Sequence, residues 1–244
     1  MVDYIVFGEV DSRDYGVAVF HTDSVYESAK REYKSIQIPG RNGDLILDGN
    51  RFGNVSVLYQ CIVGSRFSEQ VKEFINALFA VKGYAELHDS FNSDEFRMAA
   101  YNGAFSTDKV APDGEIGSFT LKFDCKPQRF LTSGDTPTTF TGSDTLSNPT
   151  TMVSLPRIVV TGTNGQNMSG TFSVNGTAVV IDGAPTDVLT VDSDLMSVYN
   201  GFDNMNAYAS AEFPVLDPGE NSIVMDAGIG NITSIMIYPR WWRL

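Results

Sequence analysis

Few residues of this 244-residue chain could do catalytic chemistry, and they do not form recognisable motifs. Nucleophilic catalysis needs a Ser, Cys or Thr beside a positioned base, which is usually His or Lys. The two histidines, His21 and His88, lie in no motif of the G-x-S-x-G or H-E-x-x-H kind. Two cysteines and two scattered histidines are also a poor set of metal ligands. We therefore predict no catalytic residue, no metal and no cofactor.

Two short motifs resemble ligand sites but fit ordinary turns better. Asp192 and Asp194 could in principle serve a glycosidase or bind calcium, yet the further oxygen ligands of a calcium loop do not follow them. Gly228 and Gly230 form a lone G-x-G, whereas a phosphate loop needs a following helix and a nearby lysine. Both motifs are typical of turns between strands.

Cysteine placement, apolar runs and charge limit the class of protein. Cys61 and Cys125 each lie on the apolar face of an alternating segment, which favours two buried free thiols over a disulfide. The chain has no apolar run of the roughly 18 to 20 residues that a membrane span needs, and its first residues do not resemble a signal peptide. We therefore expect synthesis and folding in a cytoplasm.

The negative charge is spread unevenly. The whole chain carries −13, with −5 over residues 1–132 and −8 over residues 133–244, and the second part contains no lysine. Because binding to a phosphate backbone needs clustered cations, the charge argues against a nucleic-acid-binding protein.

Residues 35–63 place turn-forming residues between segments of β-type alternation. Pro39-Gly40, Asn42-Gly43 and Asp48-Gly49-Asn50 each predict a turn. The charged residues of these turns are either solvated hairpin tips or contacts to a neighbouring surface. As candidate subunit contacts we take Arg41, Asp44, Asp48 and Arg51.

One segment has helical periodicity, and the rest of the N-terminal half favours strands. The spacing of apolar residues predicts an amphipathic helix over residues 68–82, with Ser68 as N-cap and a face ending at Phe79 that packs in the core rather than in a partner's groove. Residues 94–101 fit either a strand or a short helix. Residues 117–125 alternate as a strand, which Pro127 is expected to stop.

A Thr-, Ser-, Gly- and Pro-rich stretch predicts a linker over residues 133–152, between domains 1–132 and 153–244. Beyond it, short strands and turn signals predict a two-sheet sandwich, and Asn175-Gly176 marks a hairpin. The predicted strands cover residues 156–161, 170–175, 177–181, 188–191, 196–200, 207–213, 221–225 and 233–238.

The last residues of the sequence concentrate aromatic and basic side chains. Arg240, Trp241 and Trp242 follow Tyr238-Pro239, and two exposed indoles would leave a large apolar area in water. We expect residues 239–244 to dock on the protein itself, with the N-terminal domain as a possible surface, or on a neighbouring subunit.

In their order and spacing, these segments resemble the distal tail protein (Dit) family, a phage tail component of siphophages. The resemblance covers nearly the whole chain. It rests on residues 38–45, 49–52, 74–78, 83–87 and 123–127 in the first half, and on Asn148-Pro149, Asn175-Gly176, residues 189–193, 218–221 and 239–242 in the second.

The resemblance implies a fold and a function. The fold is mainly β, with an N-terminal β-sandwich-like domain that carries one amphipathic helix, followed by a galectin-like β-sandwich domain. The function is that of a structural virion protein, not an enzyme: a homohexameric ring at the distal end of the tail, assembled in the host bacterial cytoplasm, between the tail tube protein and a tail-tip or tail-associated protein. DNA would pass through the channel only as cargo.

An alternative from another class is a virion carbohydrate-binding adhesin that recognises a host polysaccharide through the C-terminal sandwich. Two features of the sequence weigh against host binding. At 244 residues the chain has no room for the inserted carbohydrate-binding module of some family members. The second half also lacks the histidine of a galectin-type site, and likeness of fold does not carry function.

Overall fold

The computed structural model describes residues 3–20, 27–103, 105–210 and 212–244; His21 lies outside the described residues. The chain divides into two compact units, one of Met1–Arg129 with Leu244 and the other of Phe130–Arg243. Both units are built mainly from β-strands, which confirms the predicted fold class.

In its described residues, the first unit contains one large sheet, one α-helix, a short 3-10 helix and a separate two-stranded sheet. The large sheet has the strand order β2-β1-β7-β8-β10-β6-β3, with β9 also paired to β10, whereas β4 and β5 pair only with each other. The elements are β1 Ile5–Phe7, β2 Val10–Asp11, a short 3-10 helix Ser12–Tyr15, β3 Val17–Phe20, β4 Arg31–Ile36, β5 Leu45–Phe52, β6 Val55–Val63, α1 Phe67–Ala80, β7 Ala85–Asp89, β8 Glu95–Ala100, β9 Phe105–Val110 and β10 Gly117–Leu131.

The core of this unit follows the predicted alternation. Every second residue of β6, from Val55 to Val63, is buried, and Phe119 and Phe123 of β10 face the same core. Cys61 and Cys125 are both buried and free, as predicted. Burial raises the pKa of Cys125 to about 12, so this thiol is protonated at neutral pH.

The helix lies where the periodicity predicts it, but its two ends differ. It begins at Phe67, which is buried and whose ring centroid lies 6.2 Å from that of Phe119. The prediction of Ser68 as N-cap is wrong, since Glu115 accepts hydrogen bonds from the N–H groups of Arg66 and Phe67. At the other end, Phe79 is half exposed and contacts the Tyr101 ring.

Strands β8 and β10 of the first unit test two further predictions from the sequence. By sequence, residues 94–101 fit either a strand or a short helix. Within this range, Glu95–Ala100 form strand β8. The predicted stop at Pro127 is wrong, because β10 continues to Leu131. Its pairing with β6 ends at Cys125 opposite Val55, so the missing N–H of Pro127 interrupts no hydrogen bond on that side.

The second unit is formed by two antiparallel sheets. One has the order β11-β20-β13-β16-β17-β18 and the other the order β12-β19-β14-β15. Their strands are β11 Thr138–Phe140, β12 Asp144–Asn148, β13 Arg157–Gly162, β14 Met168–Val174, β15 Thr177–Ala184, β16 Val188–Asp192, β17 Ser197–Asn200, β18 Asp203–Asn204, β19 Gly219–Gly230 and β20 Ile232–Tyr238, and Trp242–Arg243 form a last short strand, β21. Apolar residues of both sheets, such as Ile158 and Phe172, share one core, so the sheets form the expected sandwich.

Two segments of the second unit differ from the sequence prediction. The predicted linker 133–152 contains β11 and β12, which pair with β20 and β19. These short strands bury few side chains, Phe140 and Asn148 among them, so the sequence shows little alternation there. The predicted strand at 207–213 is wrong: Asn206–Tyr208 form a 3-10 turn, and a single bridge joins Ala209 to Ile181.

Candidate functional site

The two-stranded sheet of the first unit carries all four residues predicted as subunit contacts. Strands β4 and β5 and their loop, residues 31–52, form a hairpin that we call the arm. Nearly every residue of the arm is exposed. A two-stranded hairpin alone is at best marginally stable in water. The exposure of nearly the whole arm therefore needs an explanation.

The register puts apolar side chains on both faces of the arm. Tyr33 pairs with Asp48 and Ser35 with Ile46, which places Tyr33 and Ile46 on one face. Lys34 pairs with Leu47 and Ile36 with Leu45, which places the two leucines on the other face. In an ordinary sheet one of these faces would pack on the core.

The exposure of these side chains is large. Tyr33 is 61% exposed, Ile46 53%, Leu47 48% and Leu45 44%. Exposed apolar area of this kind, grouped in one element, is typical of surfaces that contact another molecule.

Charged side chains form cross-strand pairs at the base of the arm. Asp48 accepts from Nε of Arg31 at 2.8 Å, and Nε of Arg51 lies 3.0 Å from an oxygen of Glu32. Asp48 and Arg51 are among the contacts predicted from the sequence, whereas Arg31 and Glu32 are not, although both lie close to Tyr33 in the run REYKSI. All these side chains are exposed, so the pairs contribute little to stability on their own.

The other two predicted contacts lie at the far end of the arm. Arg41 is exposed in the eight-residue connection between Ile36 and Leu45, and Asp44 accepts a hydrogen bond from the Ser35 hydroxyl. The arm thus brings Arg41, Asp44, Asp48 and Arg51 together on one element, at both of its ends.

The turns of the arm differ from the predicted ones. Arg41 N–H donates to the carbonyl of Ile38 at 3.2 Å, and Gly40 has a φ of 77°, which fits a type II turn with Pro39 at its second position. Asn42-Gly43 therefore belongs to a longer loop and is not a two-residue hairpin turn. The prediction of a turn at Asp48-Gly49-Asn50 is wrong, because Gly49 and Asn50 form a bulge within β5.

The arm also differs from the rest of the chain in charge. Residues 31–52 contain four Lys and Arg against three Asp and Glu, a net charge of +1 in a chain of −13. A cationic element on an acidic protein is attracted to other acidic surfaces, including those of a second copy.

The second group of predicted residues, Arg240, Trp241 and Trp242, lies against the second unit. We call residues 239–243 the strap. Trp241 is buried in the sandwich core, and the indole N–H of Trp242 donates to the carbonyl of Val153 at 2.9 Å. These contacts lie within the second unit, and docking of residues 239–244 on the N-terminal domain stays a prediction.

Arg240 forms the best-defined ion pair of the strap. Both of its terminal nitrogens donate to the carboxylate of Asp192, each at 2.8 Å, and Asp192 is 1% exposed. Burial by itself would raise the pKa of Asp192, but the hydrogen bonds from Arg240, with those from the N–H groups of Leu195 and Asp194, outweigh burial and lower the pKa. The Asp192 carboxylate is therefore a structural anchor in the described structure.

Within the described residues, no group of three or more His, Cys, Asp and Glu side chains is arranged to hold a metal ion. No helix in the same part of the chain is both long and apolar enough to span a membrane.

Comparison with known proteins gives matches at the level of structure. No protein-family profile and no curated protein sequence matches the chain. The solved structure of the Dit protein (gp 19.1) of phage SPP1, described as a paradigm of the hub adsorption apparatus in phages that infect Gram-positive bacteria, is similar over 100% of both chains, with a TM-score of 0.73 and 14% identity.

Baseplate structures give further matches. A chain of the phage P2 baseplate, in its activated conformation with Ca, is similar over 97% of this chain and 98% of its own length, with a TM-score of 0.55 and 11% identity. The phage p2 baseplate with Sr gives a TM-score of 0.54 at 11% identity. Over its whole length, the chain therefore has the fold of the phage Dit proteins.

Proposed function

We propose that this chain is a structural virion protein, the hub at the distal end of a siphophage tail, and that it forms a homohexameric ring. Two facts support the proposal: the fold is that of a phage hub protein, and the arm exposes apolar side chains on both faces. The second fact carries the proposal, because it is observed directly on this chain.

A ring explains why one element is exposed on both faces. Cyclic assemblies use heterologous contacts, in which a patch on one protomer meets a different patch on the next. An arm that reaches onto a neighbour could bury Tyr33 and Ile46 on one face and Leu45 and Leu47 on the other. The remaining residues of 1–129 carry −6 against the +1 of the arm, so charge attraction favours the same contact.

The proposed contact includes the four charged residues named from the sequence. Arg41 and Asp44 lie at the loop end of the arm, and Asp48 and Arg51 lie near its base. Such exposed charges act mainly on the specificity and rate of association, whereas the apolar residues supply most of the buried area.

The proposal assigns each unit a place. The first unit forms the ring around a channel, one face of the ring meets the tail tube protein, and the other meets a tail-tip or tail-associated protein. The second unit is a galectin-like sandwich. DNA is passing cargo, which a chain of net charge −13 does not retain. Assembly takes place in the host bacterial cytoplasm, and the role is not enzymatic.

Light scattering after gel filtration, with native mass spectrometry, tests the ring. We expect a species of six times 26.7 kDa for the full chain, at least at high protein concentration. The double variant Tyr33→Ser and Ile46→Ser should be monomeric with an unchanged circular dichroism spectrum. The matched control is Val180→Ser, an apolar residue of the second unit with 46% exposure, which should still assemble.

Two results would contradict the proposal in different ways. A hexamer that survives the double variant would show that the arm is not the subunit contact. A monomer at every concentration, together with label along the tail tube instead of at its tip in electron micrographs of antibody-labelled virions, would reject the hub itself.

Single charge changes test the contact residues. Arg41→Ala should weaken assembly severalfold, because Arg41 is exposed at the end of the arm and contributes to its positive charge. Lys72→Ala on the exposed side of α1 removes the same charge elsewhere and is the control. Equal effects of the two substitutions would mean that only net charge matters.

One observation favours the adhesin alternative. Phe202 lies at the tip of the two-residue turn between β17 and β18 and is fully exposed, as are aromatic rings that stack on sugars. A glycan array probed with the full chain and with Phe202→Ser tests it. Binding to a host polysaccharide that the substitution abolishes would favour the adhesin, and silence across cell-wall glycans would reject it.

A further inference from the structure

One buried carboxylate joins two segments of the second unit that are far apart in sequence. Asp192 accepts two hydrogen bonds from Arg240 of the strap, as described above. Its Oδ1 also accepts from the N–H groups of Asp194 and Leu195, each at 3.1 Å. A single side chain therefore contacts both the strap and the turn of residues 193–196, between β16 and β17. Ser193 at the start of this turn has anchors of its own, because its N–H donates to the carbonyl of Pro156 at 3.0 Å and its hydroxyl to that of Pro214 at 2.6 Å.

That turn has a conformation that needs support. Met196 has a φ of 49°, in the left-handed region that non-glycine residues rarely adopt. The turn also exposes Leu195 by 64% and Met196 by 69%, and of the large apolar residues in the described chain only Phe202 is more exposed. Neither backbone preference nor burial holds the two side chains in place. Beyond Ser193, the hydrogen bonds from the Asp194 and Leu195 amides to Asp192 support this part of the turn.

The strap is fixed at its other end by contacts away from the turn. Arg240 N–H donates to the carbonyl of Gly134 and Leu131 N–H donates to the carbonyl of Trp241, each at 2.8 Å. A Cβ atom at Gly134 would lie 2.3 Å from the backbone nitrogen of Trp241. The strap therefore packs so closely on Gly134 that no larger side chain fits there. The indole of Trp242 adds the hydrogen bond to Val153.

We propose that the strap and the turn form a conformational relay with Asp192 as its joint. Displacing the strap from Gly134 and Val153 withdraws Arg240 from Asp192 and loosens the turn that displays Leu195 and Met196. The coupling acts in both directions, so a change at the turn that moves Asp192 loosens the strap. Arg240 and Trp242 are positioning residues for a surface that neither of them reaches.

The relay stands apart from the proposed tail function, because it rests only on contacts within the second unit. It would give that unit two surfaces, the strap and the turn, that respond to each other. The consequence is measurable on the purified full chain without any partner.

Amide hydrogen exchange followed by NMR tests the relay at the turn. Arg240→Gln should speed exchange at the Leu195 amide about tenfold, because the carboxylate that accepts this N–H loses its partner. Trp242→Phe keeps an aromatic ring but removes the indole N–H, and should speed the same exchange about threefold from the far end of the strap. The control Phe202→Ser, at the other end of β17, should leave it unchanged.

A second measurement tests the opposite direction and guards against misfolding. Asp192→Asn keeps the shape of the side chain and should speed exchange of the Trp242 indole N–H about threefold. The Ile158 amide in the centre of the larger sheet monitors global opening in every variant. Equal acceleration at Ile158 and Leu195 would reduce the relay to general destabilisation, and an unchanged Leu195 amide in Trp242→Phe would reject it.

Discussion

The arm and the β14–β15 hairpin of the second unit are both antiparallel hairpins with an Asn-Gly pair in their connection, yet they differ in burial. In β14, Met168, Phe172 and Val174 are buried and alternate with half-buried residues. In the arm, apolar side chains lie on both faces and are exposed. Alternation and turn chemistry form a hairpin in each case, but only a second layer of structure buries one of its faces.

The loops that connect the strands of the two hairpins also differ in conformation, although both contain Asn-Gly. Asn175 and Gly176 have φ values of 50° and 84° and form a two-residue turn directly between Val174 and Thr177. The side chain of Asn175 is also held by Asn221 at 2.7 Å. Asn42-Gly43 has the same sequence but lies inside the longer loop of the arm, where Pro39-Gly40 forms the turn.

Truncation of one aromatic residue in each hairpin should give the largest contrast. Phe172→Ala in β14 should lower the free energy of unfolding of the second unit by about 3 to 5 kcal/mol, because Phe172 is 1% exposed and leaves a cavity. Tyr33→Ala in the arm should change the stability of the monomer by less than about 0.5 kcal/mol. Urea unfolding followed by tryptophan fluorescence reports on the second unit, since both tryptophans lie there. Far-UV circular dichroism of the same samples follows both units and therefore reports the effect of Tyr33→Ala in the first.

The opposite order of effects would break the comparison. If Tyr33→Ala destabilised the monomer by as much as Phe172→Ala, the arm would be packed within its own chain and not available to a neighbour. The same variants should rank in reverse by light scattering, where Tyr33→Ala weakens assembly.

Acid should separate the exposed charges of the arm from the buried carboxylate of the strap. The pKa of Asp192 is lowered in the folded protein, so its contribution to stability is complete above the ordinary value of 3.8 and is lost as the pH falls below it. The second unit should therefore lose stability as the pH falls below about 4. Asp192→Asn should remove this part of the pH dependence.

The matched control is Asp48→Asn in the arm, which lies in the other unit. It should leave the acid unfolding of the second unit, followed by tryptophan fluorescence, as in the unchanged protein. An acid profile of Asp192→Asn that still falls as steeply would assign the acid sensitivity to other carboxylates.

Much of the fold follows from local sequence patterns, and the residues show why. The period of two from Val55 to Val63, the helical face from Val71 to Leu78 and the Asn175-Gly176 turn depend on neighbours in sequence, and all three are confirmed. The failures depend on distant residues. Glu115 caps the helix in place of Ser68, and β10 runs through Pro127 because β6 ends beside it.

The candidate site was accessible from sequence only in part. The turn residues indicated where Arg41 and Asp44 lie, but they gave no sign that Tyr33 and Ile46 share one exposed face, since that depends on the register and the bulge at Gly49-Asn50. The pairing of Arg240 with Asp192 joins residues 48 positions apart and has no local signal. The sequence indicated only that the aromatic segment should dock.

The smallest expected difference concerns the glycines of the two hairpins. Gly176 and Gly43 have φ values of 84° and 81°, and an added Cβ would meet nothing within 4 Å at either position. Only backbone strain therefore distinguishes alanine from glycine at these positions. Gly176→Ala should lower the stability of the second unit by about 1 kcal/mol, because the turn is locked between two paired strands.

Gly43→Ala should cost less than about half of that in the monomer, since the surrounding loop is exposed and can relax to another backbone conformation. In the proposed ring the same loop lies at a subunit contact, so the substitution should weaken assembly more than it weakens folding. Thermal unfolding and light scattering on both variants separate the two effects. A different result would contradict this expectation: Gly43→Ala could lower Tm as much as Gly176→Ala while leaving assembly intact. The loop of the arm would then be as rigid in the free chain as the turn of the β14–β15 hairpin, and the two connections would not differ.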